Sequence, residues 1–517
     1  MKKKINHILP ALVLTASLGL TTVSCNGFLD EMPDNRTELN TDQKIAKLLV
    51  SAYADVSPNE LFELYSDNSD DSGPTYGYYK LSEQECYHWQ DTKEEYQDTP
   101  NSLWGGYYSA IAAANMALDA IEEKGNPASL DPQRGEALVC RAYCHFMLAN
   151  IFCNAYDTHA SQSLGVPYME EVETTVSPRY ERGTLEEVYR KVERDLLEGI
   201  DLISDDSYSV PKYHFTRKAA YAFAARFYLY YMKPDFSNCD RVIDFATRVL
   251  GTNPADLLRN WEALGNLSVN GNVQADAYIA SSNEANLLIS STVSNWGAIG
   301  SDYLIGPRYF HNQTLATSET CLSSGLWGSS DYFYLKPFST NGFVASILRK
   351  SGLYEGTYLY YMPVLFSTDE TLLCRAEAYA LKKMYAQSAA DITSWQRAYT
   401  RNKSVLTPEQ INTYYDRMRF DTPFTRQTPK KKLAPDFTIE EGMHENFIHC
   451  ILHIRRITTL HEGMRWPDIK RYGILIYRRD MANQRVTDEM PPNDLRYAIQ
   501  IPRSVIVAGI QPNPRRN

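Results

Sequence analysis

The sequence predicts a mainly α-helical protein in which tetratricopeptide-like helix pairs form a scaffold and a large, irregular, loop-rich region carries a few short strands. Two observations predict this class. Apolar residues recur at spacings of three and four in successive paired segments, which is the pattern of packed amphipathic helices. That periodicity stops between 251 and 364, where Gly, Ser, Asn and aromatic residues become frequent. We therefore expect a single domain over 41–517, with its scaffold at 41–250 and 365–475 and its variable regions at 66–98 and 251–364.

The amino terminus has the composition of a lipoprotein signal. Three lysines precede a short apolar run from 8 to 20, and small residues then lead to Cys25. The run is too short to span a membrane as a helix. We expect removal of 1–24, acylation of Cys25 as the membrane anchor, and a polar tether over 25–40. An ordinary cleaved signal followed by an incidental cysteine is the alternative interpretation.

Charge and composition argue against two classes of protein. The 517 residues carry a formal net charge of −11, which disfavours nucleic acid as a partner. No second long apolar run follows the signal, so we expect no transmembrane helix. Tyrosine is unusually frequent, with 37 Tyr against 18 Phe, and a flat ring with a hydroxyl suits surfaces that hold polar, ring-shaped ligands.

The cysteines and histidines give no strong metal signal. The eight cysteines after Cys25 are scattered, without the dense spacing of a disulfide scaffold. Cys140 and Cys144 lie four apart beside His145, but no second cluster at ligand spacing accompanies them, so we interpret them as small buried residues. His449 and His453 lack the glutamate of the HExxH order and are predicted to be core or ion-paired. We expect no metal and no cofactor.

Helical periodicity places the scaffold elements in order. Thr184 and Glu187 have the spacing of a capping box, and Gly125 supplies a stop after one predicted helix. The run 285–291 has the composition of a strand, whereas 66–98 mixes turn formers, acids and aromatics without a period and is predicted to be a long loop. The predicted helices cover 41–55, 103–125, 133–152, 184–203, 216–232, 240–250, 365–385, 389–403 and 445–463.

Eight segments of the chain carry a resemblance to a known family: CNGFLDEMP, LWGGYYSAIAAAN, GEALVCRAYCHFMLANIF, RGTLEEVYRKVERDL, TRKAAYAFAARFYLY, LLCRAEAYAL, LHEGMRWPDIKRYGI and RYAIQIPRSVIVAGIQPNP. In this order they resemble the SusD/RagB family of outer-membrane nutrient-binding lipoproteins. The resemblance runs from Cys25 to the carboxyl terminus. Ile454 and Thr458 stand around Arg455 where the commonest form of the family has acidic residues, so the resemblance does not predict the ion pairs of Arg455.

The resemblance implies a function as well as a fold. A SusD-like protein is expected to sit at the cell surface, anchored in the outer membrane by its lipid and placed like a lid over a TonB-dependent SusC-like barrel. Its expected ligand is a nutrient oligosaccharide or polysaccharide, with a peptide as the alternative for the RagB-like branch. No catalytic residues are predicted, because no phosphate loop, nucleophile elbow or Cys/His signature occurs. A glycan-degrading enzyme and a purely structural helical-repeat scaffold are the alternatives from other classes.

Two irregular stretches, 66–98 and 294–334, are the predicted ligand-binding region. Oligosaccharides place their C–H faces on aromatic rings while Asp, Asn and Arg bind the hydroxyl groups, so a site needs aromatic residues on loops held by a rigid scaffold. We expect the two stretches to converge into one shallow site with uncommitted aromatic rings. The candidate residues are Asp67, Asp70, Tyr76, Tyr78, Tyr79, Trp89, Trp296, Tyr303 and Trp327.

Two details qualify this prediction. Trp104 and Trp466 lie within the helical motifs and are predicted to be core. The acids between 67 and 71 also raise calcium as an alternative, but Ser72 and Tyr78 stand where an EF-hand has its glycine and glutamate.

Overall fold

A computed structural model gives the architecture of most of the chain that follows the predicted tether. The predicted lipidation site Cys25 and the candidates Tyr76, Tyr78 and Tyr303 lie outside the described residues. From Asn40 onward, the described residues form one compact unit. The described residues are 39–75, 79–174, 179–268, 273–296, 308–322, 325–328, 353–355, 358–480 and 483–515.

Helices dominate the structure, and every helix predicted from the periodicity is present. The mainly α-helical fold class is therefore confirmed. No helix among the described residues combines the length and the hydropathy that crossing a bilayer would require. The helices are α1 Asp42–Leu49, α2 Asn59–Tyr65, α3 Leu81–Tyr87, α4 Pro100–Glu123, α5 Asp131–Phe152, α6 Leu185–Leu202, α7 Arg217–Tyr230, α8 Asn238–Leu250, α9 Trp261–Gly265, α10 Val273–Ile279, α11 Gln313–Ser318, α12 Thr368–Leu381, α13 Tyr385–Tyr399, α14 Pro408–Arg417, α15 Met443–Thr458, α16 Arg465–Tyr472 and α17 Arg503–Val507.

The described strands are short and pair only in small antiparallel sheets. β1 pairs with β4, β2 with β7, and β8 with β9, while β6 lies between β3 and β5. β2 confirms the strand predicted within 285–291. The strands are β1 Asp70–Asp71, β2 Asn286–Ile289, β3 Thr292–Val293, β4 Tyr309–Phe310, β5 Leu353–Glu355, β6 Tyr358–Tyr361, β7 Val364–Ser367, β8 Ile476–Asp480 and β9 Arg485–Met490.

The first half of the scaffold is a row of helix pairs. α5 packs against α4 and α6, and α7 packs against α8. The predicted capping box of α6 is present, because the Thr184 side chain accepts from the Glu187 backbone and the Glu187 side chain accepts from the Thr184 backbone. α5 and α6 approach closely at two glycines. A Cβ on Gly135 would lie 2.8 Å from the Gly199 carbonyl oxygen, and a Cβ on Gly199 would lie 2.8 Å from that of Gly135.

α12 is the central helix of the second half. It packs against α7, α8, α13 and α15, so it joins the two parts of the scaffold that the irregular region separates in sequence. The helix predicted from 365 begins only at Thr368, because the preceding residues form β7. Ser367 then ends the strand and caps the helix, with its hydroxyl oxygen accepting from the Glu370 backbone N–H at 3.2 Å.

A buried ion-pair network holds α12 to its neighbours. Arg455 of α15 is fully buried and donates to Glu370 of α12 at 3.1 Å and to Asp468 of α16 at 3.0 Å. Arg226 of α7 also pairs with Glu370, at 3.2 Å. Burial alone would raise the pKa of Glu370, but the two guanidiniums hold that pKa below its usual value. The partners of Arg455, which the resemblance did not predict, therefore come from two other helices.

Two further sequence predictions need correction. The stretch 66–98 is not a continuous loop, because it contains α3, which is too short to show a clear period. Trp104 is not core: it is half-buried in α4, where its ring lies against Tyr108 and Phe152 at centroid distances of 4.9 and 5.1 Å. Trp466 is fully buried, as predicted.

Candidate functional site

The two stretches predicted to form the site meet in the structure. β1 lies in the first stretch and β4 in the second, and they pair antiparallel with Asp70 opposite Phe310 and Asp71 opposite Tyr309. A second contact ties the stretches together, since the Asn295 backbone N–H donates to the Asp98 carboxylate at 2.8 Å. Residues more than 200 positions apart in the sequence are thus brought side by side.

Asp67 belongs to the buried interior of this junction. Its carboxylate accepts two hydrogen bonds from Arg465, at 2.7 and 2.9 Å, and lies 3.4 Å from Arg456. Burial favours the neutral acid, but the two guanidiniums outweigh it and hold the pKa of Asp67 well below its usual value. The side chain is only 8% exposed, so it acts as a fixed anion that positions two arginines.

Asp70 and Asp71 point to different arginines. Asp70 is 2% exposed and accepts from Arg479 at 2.8 Å, although burial still raises its pKa above the usual value. Asp71 forms a two-pronged pair with Arg308, with both distances at 2.8 Å. Each carboxylate is thus held by a separate guanidinium. Within the described ranges, no group of three or more His, Cys, Asp or Glu side chains is placed to hold a metal ion.

Trp89 and Trp296 are core residues. Trp89 is 4% exposed, donates its indole N–H to the Tyr65 carbonyl at 2.8 Å, and lies under the Arg478 guanidinium at 4.2 Å. Trp296 is 6% exposed, donates to the His461 carbonyl at 2.9 Å, and stacks on the His461 ring. The expectation that these rings are free to stack on a ligand is therefore wrong. Both rings are buried, and the apolar surface that they bury anchors the loops that carry them.

Trp327 packs in a different place. It is fully buried and meets Trp395 of α13 edge-on at a centroid distance of 5.7 Å. Its neighbours Gly325 and Leu326 line a groove of 800 Å³ beside α14. The expectation of an open Trp327 ring is therefore also wrong, and that ring does not join the contacts made by Trp89 and Trp296.

A small cluster at the junction, which we call the Tyr79 surface, consists of the exposed Tyr79, the partly exposed Asp71, His88 and Arg308, and the buried ring of Tyr309. Tyr79 is 39% exposed, and its ring meets Tyr309 edge-on at a centroid distance of 5.6 Å. The Arg308 guanidinium lies 5.2 Å from the centre of the Tyr79 ring and still has a 20% exposed side chain. His88 meets Tyr309 edge-on at 5.9 Å.

Local backbone structure explains this arrangement. The β1–β4 pairing places Asp71 and Arg308 at adjacent positions, so their ion pair closes the end of the ladder. Gly73 follows with φ +100°, and its N–H donates to Asp71 at 2.8 Å, which turns the chain away from the strand. Tyr309 stacks on Tyr87 of α3 at 4.6 Å, which provides a packed base beneath Tyr79.

The electrostatics of the Tyr79 surface suit a neutral, hydroxyl-rich ligand. Burial, with Arg478 and Arg308 adding to its effect, lowers the pKa of His88, so its ring is neutral at neutral pH. Arg308 and Asp71 neutralise each other, while the Nη1 donors of Arg308 bind no described residue. The surface therefore offers one aromatic face with donors and acceptors beside it. Sequence reasoning found Tyr79 but missed Arg308, whose only signal is its position directly before Tyr309 and Phe310.

A separate interior cavity does not suit such a ligand. It has a volume of 50 Å³ and lies among α2, α5, α7 and α16, where Asn59, Arg226 and Glu370 supply polar atoms. This volume holds one or two water molecules and no sugar ring. We assign it to internal hydration of the scaffold.

A family model matches the amino-terminal part of the chain. Residues 27–229 match a SusD-like model that is described as starch-binding and associating with the outer membrane. Among curated proteins there is no significant match.

Solved structures match over nearly the whole chain. A SusD superfamily protein from Bacteroides thetaiotaomicron is 17% identical, with a TM-score of 0.58 over 92% of this chain and 100% of its own. One from Bacteroides fragilis is 15% identical, with a TM-score of 0.62 over 91% and 98%. A SusD-like carbohydrate binding protein from Bacteroides vulgatus is 14% identical, with a TM-score of 0.63 over 91% and 96%. These matches show the fold, and together with the family model they confirm the resemblance found in the sequence.

Proposed function

We propose that this chain, which has the SusD fold and matches a SusD-like family model, is a cell-surface lipoprotein that binds nutrient oligosaccharides or polysaccharides and delivers them to a TonB-dependent SusC-like transporter. The family model's description supports both glycan binding and association with the outer membrane. The signal that ends at Cys25 supports the lipid anchor. Facing outward, the protein would capture polymers too large to diffuse through the membrane.

The Tyr79 surface is the observation that carries the binding proposal. It combines an exposed ring with a guanidinium and a carboxylate where β1 and β4 of the two predicted stretches pair. A sugar ring can stack on Tyr79 while its hydroxyl groups bind Arg308 and Asp71. Because the base of the surface is packed and hydrogen-bonded, little ordering of these described residues is needed on binding.

We propose binding without turnover. Glycoside hydrolysis needs two carboxyl groups flanking the scissile bond, one protonated and one ionised. The three candidate acids are instead committed, because Asp67, Asp70 and Asp71 are each paired with arginine. A glycan-degrading enzyme and a peptide-binding member of the same family are the alternatives that the experiment must separate.

The proposal is tested by native gel retardation of the purified mature protein in a panel of soluble polysaccharides, with a tryptic peptide mixture as the other class of ligand. We expect at least one polysaccharide to retard the protein, with no release of reducing ends. Retardation of the protein by the peptide mixture and by no polysaccharide would assign the peptide-binding alternative. Release of reducing ends that a single carboxylate substitution abolishes would assign an enzyme.

Anchoring is tested separately through Cys25→Ala. Without the thiol the lipid cannot be attached, and two or three acyl chains give the stable membrane anchoring that a single chain would not. We expect the variant to leave the membrane fraction on washing with high salt while the native chain stays in it. Retention of Cys25→Ala after that wash would contradict the lipid anchor.

A further inference from the structure

A second groove lies apart from the Tyr79 surface. It has a volume of 840 Å³ and runs between the end of α14, the segment 418–432, the start of α15 and the first residues of β8. This size is within the range of small-molecule sites, for which roughly 300 to 1,000 Å³ is typical. One arginine connects the groove to the predicted site, since Arg479 donates to Asp70 at 2.8 Å and to the carbonyl of Pro423, a lining residue, at 3.4 Å.

The floor of this groove contains two buried lysines. Lys431 is 6% exposed and pairs with Glu319 and Asp421, both at 2.9 Å, so its charge is compensated. Lys430 is 5% exposed and donates only to neutral oxygens, the Tyr415 carbonyl at 2.8 Å and the Asn446 side chain at 3.2 Å. Of its three N–H donors, one remains for a ligand.

Lys430 is therefore a buried cation without a direct counter-ion. Within the described part of the chain, no carboxylate lies at ion-pair distance from its ammonium nitrogen. Burial lowers its pKa, and the more distant Glu445 and Asp416 oppose that change. The charge of a buried ammonium is costly unless a partner is supplied. An anionic group of a ligand in the groove would supply it.

The rim adds further cations. Arg419, Arg426 and Lys432 line the groove, and their side chains make no hydrogen bond or ion pair with any residue that the structure describes. Asp416 and Glu441 also reach the rim and can accept from hydroxyl groups. These uncommitted cations stand out in a chain whose formal net charge is −11.

Aromatic side chains complete the lining. Phe420 lines the groove, and its ring lies 4.9 Å from the Lys430 ammonium nitrogen. Tyr477 at the start of β8 also lines the groove. Rings beside cations and hydroxyl acceptors match a sugar that carries an acidic group better than they match an extended peptide.

We propose that this groove, the Lys430 groove, is a second binding site that takes a carboxylate- or sulfate-bearing unit of an acidic oligosaccharide. The anion pairs with Lys430 in the floor and with Arg419 and Arg426 at the rim, while the sugar ring lies against Phe420. The inference rests on the proposed role in glycan binding but concerns residues separate from the Tyr79 surface.

The test is calorimetric titration of the mature protein with four ligands: tetragalacturonate, a chondroitin sulfate tetrasaccharide, neutral maltotetraose and tetraglutamate. Arg426→Gln and Arg419→Gln are the groove variants, and Tyr79→Ala is the variant of the Tyr79 surface. Arg190→Gln, at an exposed arginine on α6, is the matched control. We expect an acidic tetrasaccharide to bind, to weaken as salt rises, and to lose roughly ten-fold or more in affinity in each groove variant. Arg190→Gln should bind as the native chain does.

Three outcomes would overturn the inference. The first is that neither acidic tetrasaccharide binds, and the second is that the groove variants bind them as tightly as the native chain does. The third is that tetraglutamate binds as tightly as the acidic tetrasaccharides and depends on Arg426 in the same way, which would assign a peptide site. If neutral maltotetraose binds and depends on Tyr79 while the acidic sugars do not bind, the inference fails and the proposed function stands. If only acidic sugars bind and only the groove variants weaken them, the groove is supported and the Tyr79 surface is not.

Discussion

At the scale of single residues, arginine side chains hold the irregular region in place. Arg478 of β8 is fully buried and donates to backbone carbonyls at the end of α2, those of Leu64 at 2.6 Å and Tyr65 at 3.1 Å. It also donates to two carbonyls of the first stretch, those of Ser66 at 3.0 Å and Tyr87. Burial lowers its pKa to about 10, since its partners are carbonyl oxygens and its guanidinium has no paired carboxylate in the described structure. Every residue has a backbone carbonyl, so the sequence of a loop does not reveal that it is fixed by contacts of this kind.

Trp89 illustrates the cost of losing a packed loop residue. The ring is 4% exposed and stacks below Arg478, so Trp89→Ala removes buried apolar surface and leaves a cavity. We expect the free energy of unfolding to fall by about 3 to 5 kcal/mol, measured by chemical denaturation. Tyr96→Ala, at a tyrosine of the same stretch that is 57% exposed, is the control and should change it by less than about 0.5 kcal/mol. Equal midpoints for the two variants would show that Trp89 is not a packing residue.

At the scale of elements, the close crossing of α5 and α6 sets a steric limit. A Cβ on Gly135 would meet the Gly199 carbonyl at 2.8 Å and the Ile203 backbone nitrogen at 2.8 Å, so the helices must separate to admit it. We expect Gly135→Ala to destabilise the protein by about 1 to 3 kcal/mol, measured as a shift in thermal melting. Gly105→Ala is the matched control in α4, where a Cβ meets nothing within 4 Å; it should stabilise by about 0.5 to 1 kcal/mol. A Gly135→Ala melt at or above the native temperature would contradict the crossing.

The elements also show what the sequence can and cannot predict. α4, α5 and α6 follow from periodicity and caps, because those signals are local to each helix. The β8–β9 hairpin was missed, since its residues are chosen by long-range contacts such as those of Arg478. For the site, the meeting of the two stretches was predicted correctly. The exposure of the tryptophan rings was not, because burial of a loop side chain depends on what packs over it.

At the scale of the whole molecule, buried charges couple folding to pH in two opposite directions. Arg456 and Arg465 hold the pKa of Asp67 in the folded protein well below its pKa in the unfolded chain. The stability that Asp67 contributes is therefore fully present at pH values above its unfolded-state pKa, and it is lost as the pH falls through its folded-state pKa. Burial and the neighbouring Asp98 instead raise the pKa of Glu60 well above its unfolded value. Glu60 therefore lowers the free energy of unfolding as the pH rises above the pKa that Glu60 has in the unfolded chain.

These opposite signs give a paired prediction for the free energy of unfolding, measured by denaturant titration between pH 3 and pH 7. Asp67→Asn should cost about 3 to 5 kcal/mol at neutral pH, as breaking a buried ion pair does, and the deficit should shrink below about pH 4. Glu60→Gln, whose amide can donate to Asp98 as the protonated acid does, should match the native chain at low pH and exceed its stability at neutral pH. A deficit of Asp67→Asn that stays constant with pH would contradict the assigned ion pairs.

The central claim is that a glycan stacks on Tyr79, and one comparison tests it most directly: calorimetric titration of Tyr79→Ala and Tyr213→Ala with the polysaccharide that retards the native protein. The two tyrosines are 39% and 37% exposed, but only Tyr79 lies beside Arg308 and Asp71. We predict that Tyr79→Ala loses roughly five-fold to a hundred-fold in affinity, about 1 to 3 kcal/mol, while Tyr213→Ala binds as the native chain does and both variants melt normally. Native affinity in Tyr79→Ala, or an equal loss in Tyr213→Ala, would contradict the claim.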